Sequence, residues 1–383
     1  MCALLVLLAV AAPQMPDAEG FVPLSGGPDL SGWHAMGAQC WSWRDGMIEC
    51  AGQGSGWLRS EAVYGDFTLR YEYRIVNDGN SGVWLRAPLR GRQSAVGMEV
   101  QILGRHFDPP TTDASGALYD LLAPSVDASR GPEEWNEAEV TCIGRRISTV
   151  LNGVRLYDAD LDDAAWNSAL PAGRKPRERN MRGFIGLTNH GACVLYRNVR
   201  IKPEPEQGFE ALLDGGDLSG WQAVEPWRVE DGAAVCDATR ETMITTTRRL
   251  TDYDLRLRYR LAKGARGSVL LRAADDPKAP RVEISLADDA GAQPSVEGSG
   301  ALRKAGVPHL NAALPAGEWN DLDVTYRGHY FRVRLNATPV LEGSIYWFGS
   351  FNGAPIEGRL GLVAVSGKVE LADVRARELQ PEG

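Results

Sequence analysis

The sequence predicts an all-β protein built as two β-sandwiches, or jelly rolls, in tandem. Apolar and polar residues alternate along several segments, turn residues separate these segments, and the second half of the chain repeats the first in order. Successive side chains of a strand point to opposite faces, so the alternation indicates sheets that bury one face. Many short strands with turns between them favour a sandwich or jelly roll in each half.

The duplication is visible as blocks that recur in the same order. DLSGW occurs at 29–33 and again at 217–221, and EWNEAEVT at 134–141 matches EWNDLDVT at 318–325. Ordered agreement of this kind is typical of an internal repeat. The sequence therefore predicts a first sandwich over 21–202, a Pro-rich linker over 203–207 and a second, degenerate copy over 208–383.

Residues 1–20 are predicted to be a signal peptide. ALLVLLAVAA at 3–12 is apolar but too short to span a bilayer, and Ala9-Val10-Ala11 is a suitable cleavage site. The alternative is a buried N-terminal helix or strand. Since no other segment is long and apolar enough to cross a membrane, we expect an exported protein, either periplasmic or extracellular.

The clearest strand signals lie inside the first copy. From Phe67 to Ile75 apolar residues alternate with polar ones, as in a half-buried strand. Asn152-Gly153 separates two further alternating segments and predicts a hairpin turn, because both residues tolerate positive φ. No convincing amphipathic helix is found.

Two segments form the predicted centre of the first copy, NSGVWLRAP at 80–88 and GMEVQIL at 97–103. In the second segment apolar residues alternate with Glu99 and Gln101, which therefore share the opposite face. In the first, Arg86 shares a face with the tryptophan two residues before it. If the two strands pair, the sheet presents an aromatic ring, a guanidinium, a carboxylate and an amide on one open side, which suits a sugar.

Two stretches of the first copy, 104–114 and 158–182, are predicted to be long irregular loops. Loops of this length often act as lids or rims of functional sites. The second loop is basic, which is consistent either with a ligand-facing role or with a merely solvated surface. Its cations are Arg174, Lys175, Arg177, Arg179 and Arg182.

The composition excludes several classes of function. A net charge of −9 gives no basic surface for nucleic acid or anionic lipid. The sequence has no nucleophile elbow, phosphate loop, dinucleotide fingerprint or tightly spaced metal motif. Cys40 and Cys50 flank a turn and form a candidate disulfide. Against it, Cys236 occupies the position equivalent to Cys50 in the second copy, where no partner cysteine exists.

Taken together, several blocks resemble the 3-keto-disaccharide hydrolase family, formerly a domain of unknown function. The resemblance covers about residues 20–202 and, more faintly, the second copy. It implies a concanavalin-like jelly-roll sandwich whose concave face binds carbohydrate, export from the cell, and action on glycosides already oxidised at C3 of glucose. The blocks are DLSGW, WSWRDG, DFTLRYEYRI, NSGVWLRAP, GMEVQIL, SGALYDL, EWN, LNG and GFIGLTNHG.

Such a substrate sets clear chemical requirements. A ketone at C3 acidifies the hydrogen on C2, so a base can remove it, the aglycone can leave from C1, and water can add to the double bond. The enzyme needs that base, a group to stabilise the enolate oxygen, and an acid or metal for the leaving oxygen. Direct hydrolysis by two carboxylates is the alternative. The first copy offers one well-placed carboxylate rather than a pair, which favours elimination.

Comparison of the two copies gives the candidate residues, because the second copy keeps the framework and loses polar groups. Two residues persist: Arg86 as Arg272 and Glu99 as Glu283. These two could form a structural salt bridge or a retained part of a ligand site. The lost groups are Asn80, replaced by Arg266; Gln101, replaced by Ser285; Tyr119-Asp120, replaced by Arg303-Lys304; and Asn189-His190, replaced by Ala364-Val365.

His190 is the leading candidate base, because histidine titrates near neutral pH and this one lies in a turn-forming TNHG segment. Glu99 is the second candidate for the base or a metal ligand, and Tyr119 is a candidate proton donor to the enolate or leaving oxygen. A structural role is the alternative for all three. The predicted substrate-binding residues are Asn80, Trp84, Arg86, Gln101, Asp120 and Asn189.

Cofactors and partners follow from the same chemistry. His190, Glu99 and Asp120 could together hold a divalent cation that stabilises an enediolate, although no ligand spacing demands it. A separate oxidoreductase must form the ketone, because this chain has no dinucleotide fingerprint. The alternative function is a non-catalytic carbohydrate-binding or adhesion protein that uses the concave sheet faces.

Overall fold

The computed structural model describes residues 16–24, 29–213, 215–222, 225–276, 278–349 and 351–380. Residues 1–15 of the predicted signal peptide lie outside the described residues. The chain divides into two compact units between Glu206 and Gln207. Among the described residues, no helix is long and apolar enough to cross a membrane.

The first unit is almost entirely β-structure, which confirms the predicted fold class. Its described elements, in chain order, are β1 (Val22–Pro23), β2 (Trp33–Gly37), β3 (Trp41–Arg44), β4 (Met47–Ala51), β5 (Gly56–Tyr64), β6 (Phe67–Ile75), β7 (Asn80–Ala87), α1 (Gln93–Val96), β8 (Met98–Leu103), β9 (Asn136–Ile143), β10 (Arg146–Leu151), β11 (Val154–Asp160), α2 (Ala164–Ala169), a 3-10 helix (Pro176–Glu178), β12 (Gly183–Asn189) and β13 (Cys193–Pro203).

Two antiparallel sheets form the first sandwich. The larger has the order β11-β10-β9-β6-β13-β4-β3, with β1 added beside β13, and the smaller has the order β2-β5-β12-β7-β8. Apolar side chains from both sheets, such as Leu69 on β6 and Val100 on β8, form one buried core. The predicted pairing of the two central segments is confirmed, with Trp84 of β7 opposite Glu99 of β8.

Local signals in the sequence account for several of these elements. Burial alternates residue by residue along β6, as predicted. Asn152 and Gly153 both have positive φ between β10 and β11, which confirms the hairpin turn. The irregular loop predicted over 158–182 is partly wrong, because β11 continues to Asp160 and α2 follows. That helix begins after Asp163, whose carboxylate accepts a hydrogen bond from the Trp166 amide at 2.7 Å.

The second unit repeats this architecture. Its described elements are β14 (Glu210–Leu213), β15 (Trp221–Gln222), β16 (Arg228–Glu230), β17 (Ala233–Ala238), β18 (Thr242–Leu250), β19 (Tyr253–Leu261), β20 (Arg266–Ala273), β21 (Val282–Ala287), β22 (Asn320–Arg327), β23 (Tyr330–Leu335), β24 (Thr338–Ser344), a 3-10 helix (Ile345–Phe348) and β25 (Gly358–Glu378).

The two units differ at one informative place. In the second unit β25 is a single strand that pairs with β18 and β20 near its start and with β17 and β19 further along. In the first unit the matching segment is divided into β12 and β13, and residues 190–192 form the break. His190 lies in this break, whereas the equivalent Val365 is part of a continuous strand.

Arg86 does not lie on the open face of the sheet, so the prediction that it shares a face with Trp84 and binds substrate is wrong. Its φ is +51°, which interrupts the alternation of β7. Its fully buried guanidinium donates hydrogen bonds to the Gly65 carbonyl at 2.8 Å, the Gly144 carbonyl at 2.9 Å and the Asp66 carboxylate at 3.2 Å. Arg86 therefore ties β7 to the connection between β5 and β6 and to the β9–β10 turn of the larger sheet.

The second unit contains the same arrangement. Arg272 also has a φ of +51° and is buried. It donates to the Thr251 carbonyl, to the Gly328 carbonyl at 2.6 Å and to the Asp252 carboxylate at 2.8 Å. Since the two networks match atom for atom, the arginine persists in both copies for a structural reason.

Candidate functional site

Glu99 occupies the open face of the five-stranded sheet. Met98 and Val100, its neighbours on β8, point into the core, so the alternation of the strand turns Glu99 outward. Its carboxylate lies against Gly82 of β7, where a Cβ atom would collide with Oε1. A glycine at position 82 therefore provides the space that the carboxylate fills.

His190 faces this carboxylate from the break between β12 and β13. Its Nε2 lies 3.7 Å from Glu99 Oε1, and its side chain is 40% exposed while that of Glu99 is 5% exposed. Asn189 Oδ1 accepts a hydrogen bond from the Gly191 amide at 2.9 Å, and Gly191 has a φ of +87°. The hydrogen bond to the Asn189 side chain takes the place of a backbone hydrogen bond between strands, so the chain turns away from the sheet here.

One oxygen of Glu99 is buried but lacks a hydrogen-bond partner. Oε1 accepts no hydrogen bond from any described residue, and His190 Nε2 lies 3.7 Å from it. Buried polar atoms in native proteins are nearly always satisfied, so such an exception needs a functional explanation. The free lone pairs point to a site that completes its hydrogen bonds with a ligand.

The equivalent carboxylate of the second copy is fully engaged. Glu283 forms ion pairs with Arg303 at 2.9 Å and Arg281 at 2.7 Å, and it accepts a hydrogen bond from the Ser268 hydroxyl. In the first copy the corresponding three positions hold Tyr119, Gly97 and Gly82. The first copy therefore leaves open an acidic group that the second copy neutralises.

Tyr119 lies beside Glu99, because its backbone amide donates a hydrogen bond to the Glu99 carbonyl at 2.9 Å. Burial, followed by the negative charges of Asp113, Asp120 and Glu99, raises the pKa of the Tyr119 phenol. The hydroxyl is therefore protonated at neutral pH and able to donate a hydrogen bond. The structure brings together the three residues predicted to be catalytic.

Two of the predicted substrate-binding residues lie on the same face as Glu99. Gln101 is two residues along β8 and 4% exposed, and its Oε1 accepts from the Ile102 amide at 3.1 Å. Asn80 is exposed at the start of β7, opposite Leu103. Their contacts with a sugar stay predictions.

Two others are engaged within the protein. Asn189 is 1% exposed, and its amide nitrogen donates to the Gln53 carbonyl at 2.9 Å and to Cys40 Sγ at 3.1 Å. Through these hydrogen bonds Asn189 positions the adjacent His190. The prediction that Asn189 contacts the substrate is wrong. Asp120 is exposed and forms an ion pair with Arg174.

A similarity comparison with known proteins decides the family. The sequence profile of the 3-keto-alpha-glucoside-1,2-lyase-like domain matches residues 20–202 and residues 208–375. The chain belongs to the 3-keto-alpha-glucoside-1,2-lyase-like family. Both halves carry the family domain, which confirms the resemblance noted in the sequence.

Individual proteins and solved structures are similar to this chain at low sequence identity. A 3-keto-disaccharide hydrolase of Bacteroides thetaiotaomicron is 26% identical over 238 residues, which cover 49% of this chain and 80% of that protein. Among solved structures, a candidate glycosyl hydrolase from Parabacteroides distasonis is 22% identical with a TM-score of 0.44, covering 49% of this chain and 96% of the other. The carbohydrate-binding module CBM66 of Bacillus subtilis is 17% identical with a TM-score of 0.31, covering 45% and 95%.

Two tryptophans form an aromatic layer on the open face of the first family domain. The rings of Trp57 and Trp84 lie 5.1 Å apart, and Trp57 also packs edge-on against Phe184 at 6.3 Å. Trp84 is 9% exposed, so only a small part of its ring is accessible for the predicted stacking. Trp57 was missed in the sequence, although its place in the alternation of GWLRS could have indicated it.

The second family domain has lost this aromatic layer. Met243 and Leu270 occupy the positions of Trp57 and Trp84, and they pack with Val363 and Val365 in a small apolar cluster. The part of the open face that is aromatic in the first domain is therefore aliphatic in the second.

The sequence left open a divalent-cation site made by His190, Glu99 and Asp120. Across the described part of the chain, no three His, Cys, Asp or Glu side chains are close enough to hold a metal ion. In particular Asp120 turns to Arg174, so the proposed set of Asp120, Glu99 and His190 is wrong.

The candidate disulfide of the first family domain consists of two adjacent thiols. Cys40 and Cys50 are free cysteines whose sulfur atoms lie 3.4 Å apart. Burial raises the pKa of the Cys50 thiol to about 12, with a further contribution from Cys40, so Cys50 is protonated at neutral pH.

Proposed function

We propose that the first family domain cleaves 3-keto-glycosides by elimination and hydration. A base removes the proton on C2, the C1–O bond breaks, and a C1=C2 double bond forms. The aglycone oxygen takes up one proton, equivalent to the one removed from C2, so the aglycone leaves as an alcohol and the base is regenerated. Water then adds its hydroxyl to C1 and its proton to C2, so the net reaction is hydrolysis. The observation that carries this proposal is the unsatisfied Glu99 carboxylate facing His190, in contrast to the neutralised Glu283.

In this mechanism His190 Nε2 accepts the C2 proton. A partly exposed imidazole at the edge of the sheet is accessible to substrate and can accept a proton. The resulting imidazolium is stabilised by the Glu99 carboxylate 3.7 Å away. The Glu99 side chain projects from β8 into the space that Gly82 leaves. The negative charge of the carboxylate is therefore in place before the C2 proton is transferred.

Tyr119 supplies the proton donor of the reaction. Its phenol, protonated at neutral pH, hydrogen-bonds the oxygen that gains negative charge when C2 loses its proton. Removing that hydroxyl in Tyr119→Phe is expected to lower kcat about 10²-fold, since one donor to a developing oxyanion has an effect of this size. Steady-state kinetics on a 3-keto-glucoside measure it, and an unchanged kcat would remove Tyr119 from the mechanism.

The direct hydrolysis mechanism is disfavoured because it needs a second carboxylate across the sugar from Glu99. Asp120, the acidic residue next to Tyr119, is engaged by Arg174. The family domain and the name of the Bacteroides relative support a 3-keto-sugar as substrate. We extend the proposal to export of the protein and to a separate oxidoreductase that forms the ketone.

Release of the aglycone tests the activity itself. Purified full-length protein is incubated with a 3-keto-glucoside bearing a chromogenic aglycone and, as a control, with the unoxidised glucoside. We expect release from the keto sugar only. Release from neither, together with tight binding of intact sugar, would instead favour a carbohydrate-binding protein, a function that the Trp57–Trp84 layer also suits.

Deuterium incorporation distinguishes elimination from direct hydrolysis. When the reaction runs in heavy water, hydration of the double bond places one deuterium on C2 of the product, whereas direct hydrolysis forms no C–D bond. Mass spectrometry at early times measures the incorporation. The released 3-keto sugar incubated without protein gives the rate of spontaneous exchange, and product without deuterium above that rate would contradict elimination.

A further inference from the structure

A cavity of the first unit includes Tyr119, the neighbour of Glu99, in its lining. It has a volume of about 190 Å³ and is lined by Tyr119, the short helix α1 and the basic segment after α2. Tyr119 connects the two places, because its amide bonds to the Glu99 carbonyl while its side chain lines the cavity. At about 30 Å³ for each liquid water, the cavity has room for roughly six waters, or for a small chemical group.

Arg179 is the unusual residue of this cavity. It is 5% exposed, and its Nε is buried without a hydrogen-bond partner among the described residues. Its two terminal nitrogens donate only to the carbonyls of Ser94 and Arg174, both at 3.5 Å. Burial lowers the pKa of the Arg179 guanidinium, because it disfavours the charged form. A buried guanidinium with such weak partners lacks the anion that normally stabilises it.

The charges that line the cavity are unbalanced. Arg92, Arg174 and Arg179 contribute three cations, and Asp120 contributes one carboxylate, which pairs with Arg174. Arg92 is exposed, and no ion pair joins it to a described residue. The carboxylates of Asp120 and Glu178 lie near enough to act on Arg179 electrostatically, but among the described residues no carboxylate forms a direct ion pair with Arg179 or Arg92.

The second unit does not reproduce this arrangement. Arg303, which replaces Tyr119, is paired with Glu241, Glu283 and Glu297. Its charge is thus satisfied by carboxylates of the protein itself. The unpaired cations belong to the first unit, which is also the unit with the open acid–base pair.

We propose that the cavity binds an anionic group, a carboxylate, sulfate or phosphate, carried by the substrate beside the scissile bond. The Nε–H of Arg179, which lies in the plane of the guanidinium, donates a hydrogen bond to this oxyanion. Arg92 contacts the same oxyanion from the solvent-exposed side of the cavity. This inference rests on the proposed function of the Glu99–His190 site and adds that the preferred 3-keto-glycosides are acidic.

Direct binding tests the site without requiring turnover. Full-length protein is titrated with sulfate, phosphate and glucuronate at constant ionic strength, and binding is followed by calorimetry. We expect at least one of the three to bind at millimolar concentration or tighter, and the preferred probe identifies the oxyanion. Arg92→Gln is expected to weaken binding about 10-fold, and Arg179→Gln to abolish it.

Arg177→Gln is the matched control, since it removes one exposed charge from the same segment outside the cavity lining. We expect it to change affinity less than 2-fold. Because Arg179 is buried, the stability of each variant is also measured by thermal unfolding. If Arg179→Gln is unstable, the result for Arg92→Gln, a substitution at an exposed position, decides the test. Absence of binding by all three probes, or equal weakening by Arg177→Gln, would overturn the proposal.

Kinetics separate this inference from the proposed function. Two 3-keto-glucosides that differ only in a neutral or a carboxylated phenyl aglycone are compared. We expect a lower KM for the acidic one, and Arg92→Gln to raise that KM about 10-fold without changing the KM of the neutral one. Anion binding without turnover of either would reject the proposed function alone, and turnover without preference or anion binding would reject the anion site alone.

Discussion

Replacing His190 by Ala or Glu99 by Gln in the full-length protein is expected to lower kcat/KM on a 3-keto-glucoside about 10³-fold. Loss of a positioned acid–base group has effects of about 10²–10⁴. In the proposed mechanism the imidazole takes the proton, and the carboxylate 3.7 Å away stabilises the charge it acquires. Since the two act as a unit, the double variant is expected to be little worse than either single one.

The second copy provides a matched control within the same chain. Glu283→Gln makes the identical chemical change at the equivalent position, where Arg281 and Arg303 already neutralise the carboxylate. We expect it to leave kcat/KM unchanged within about 2-fold. A loss equal to that of Glu99→Gln would place chemistry in the second copy and contradict the assignment.

Stability measurements separate a catalytic role from a structural one. His190 is partly exposed and sits in a break between strands, so His190→Ala should change the free energy of unfolding by only about 0.5 kcal/mol. Calorimetric unfolding of the variants checks this. Turnover that survives in a normally folded His190→Ala would remove His190 from the mechanism.

Much of the fold was accessible from the sequence, because its signals are local and repeated. The alternation along β6 and β8 and the Asn152-Gly153 turn depend on neighbouring residues alone. The comparison of the copies singled out His190 and Tyr119 as candidates because the second copy has lost them, whereas Glu99 was a candidate that persists as Glu283. All three lie together in the structure.

The misassigned residues depend on conformation that a sequence pattern does not display. Arg86 leaves the open face because its φ is positive, and period-two reasoning assumes extended backbone throughout. Asn189 was predicted to bind sugar, but its amide is used by a carbonyl and a sulfur that lie far away in the chain. Likewise, Glu283 is neutralised by two arginines that only folding brings next to it, so the sequence pattern does not show that its carboxylate is engaged.

Replacing Arg86 by Met is expected to destabilise the first unit by about 3–5 kcal/mol, the usual cost of breaking a buried ion pair. Three hydrogen bonds of the guanidinium are lost, and the carboxylate of Asp66, which is 8% exposed, loses its counter-charge. Among the described residues, only the Gly144 amide, at 2.8 Å, still donates to that carboxylate. Arg86→Lys should be intermediate, because one ammonium cannot reach all three acceptors.

Calorimetric unfolding combined with hydrogen exchange locates the effect of this substitution. In Arg86→Met we expect faster amide exchange around residues 65–66 and at Gly144. In the matched variant Arg272→Met we expect faster amide exchange around residues 251–252 and at Gly328. The reason is that each arginine holds the same two connections of its own unit. Arg155→Met, which removes an exposed partner of Asp158, should cost less than about 1 kcal/mol. If Arg86→Met cost no more than Arg155→Met, the buried network would not be what holds β7 to the opposite sheet, and the persistence of this arginine in both copies would need a different cause.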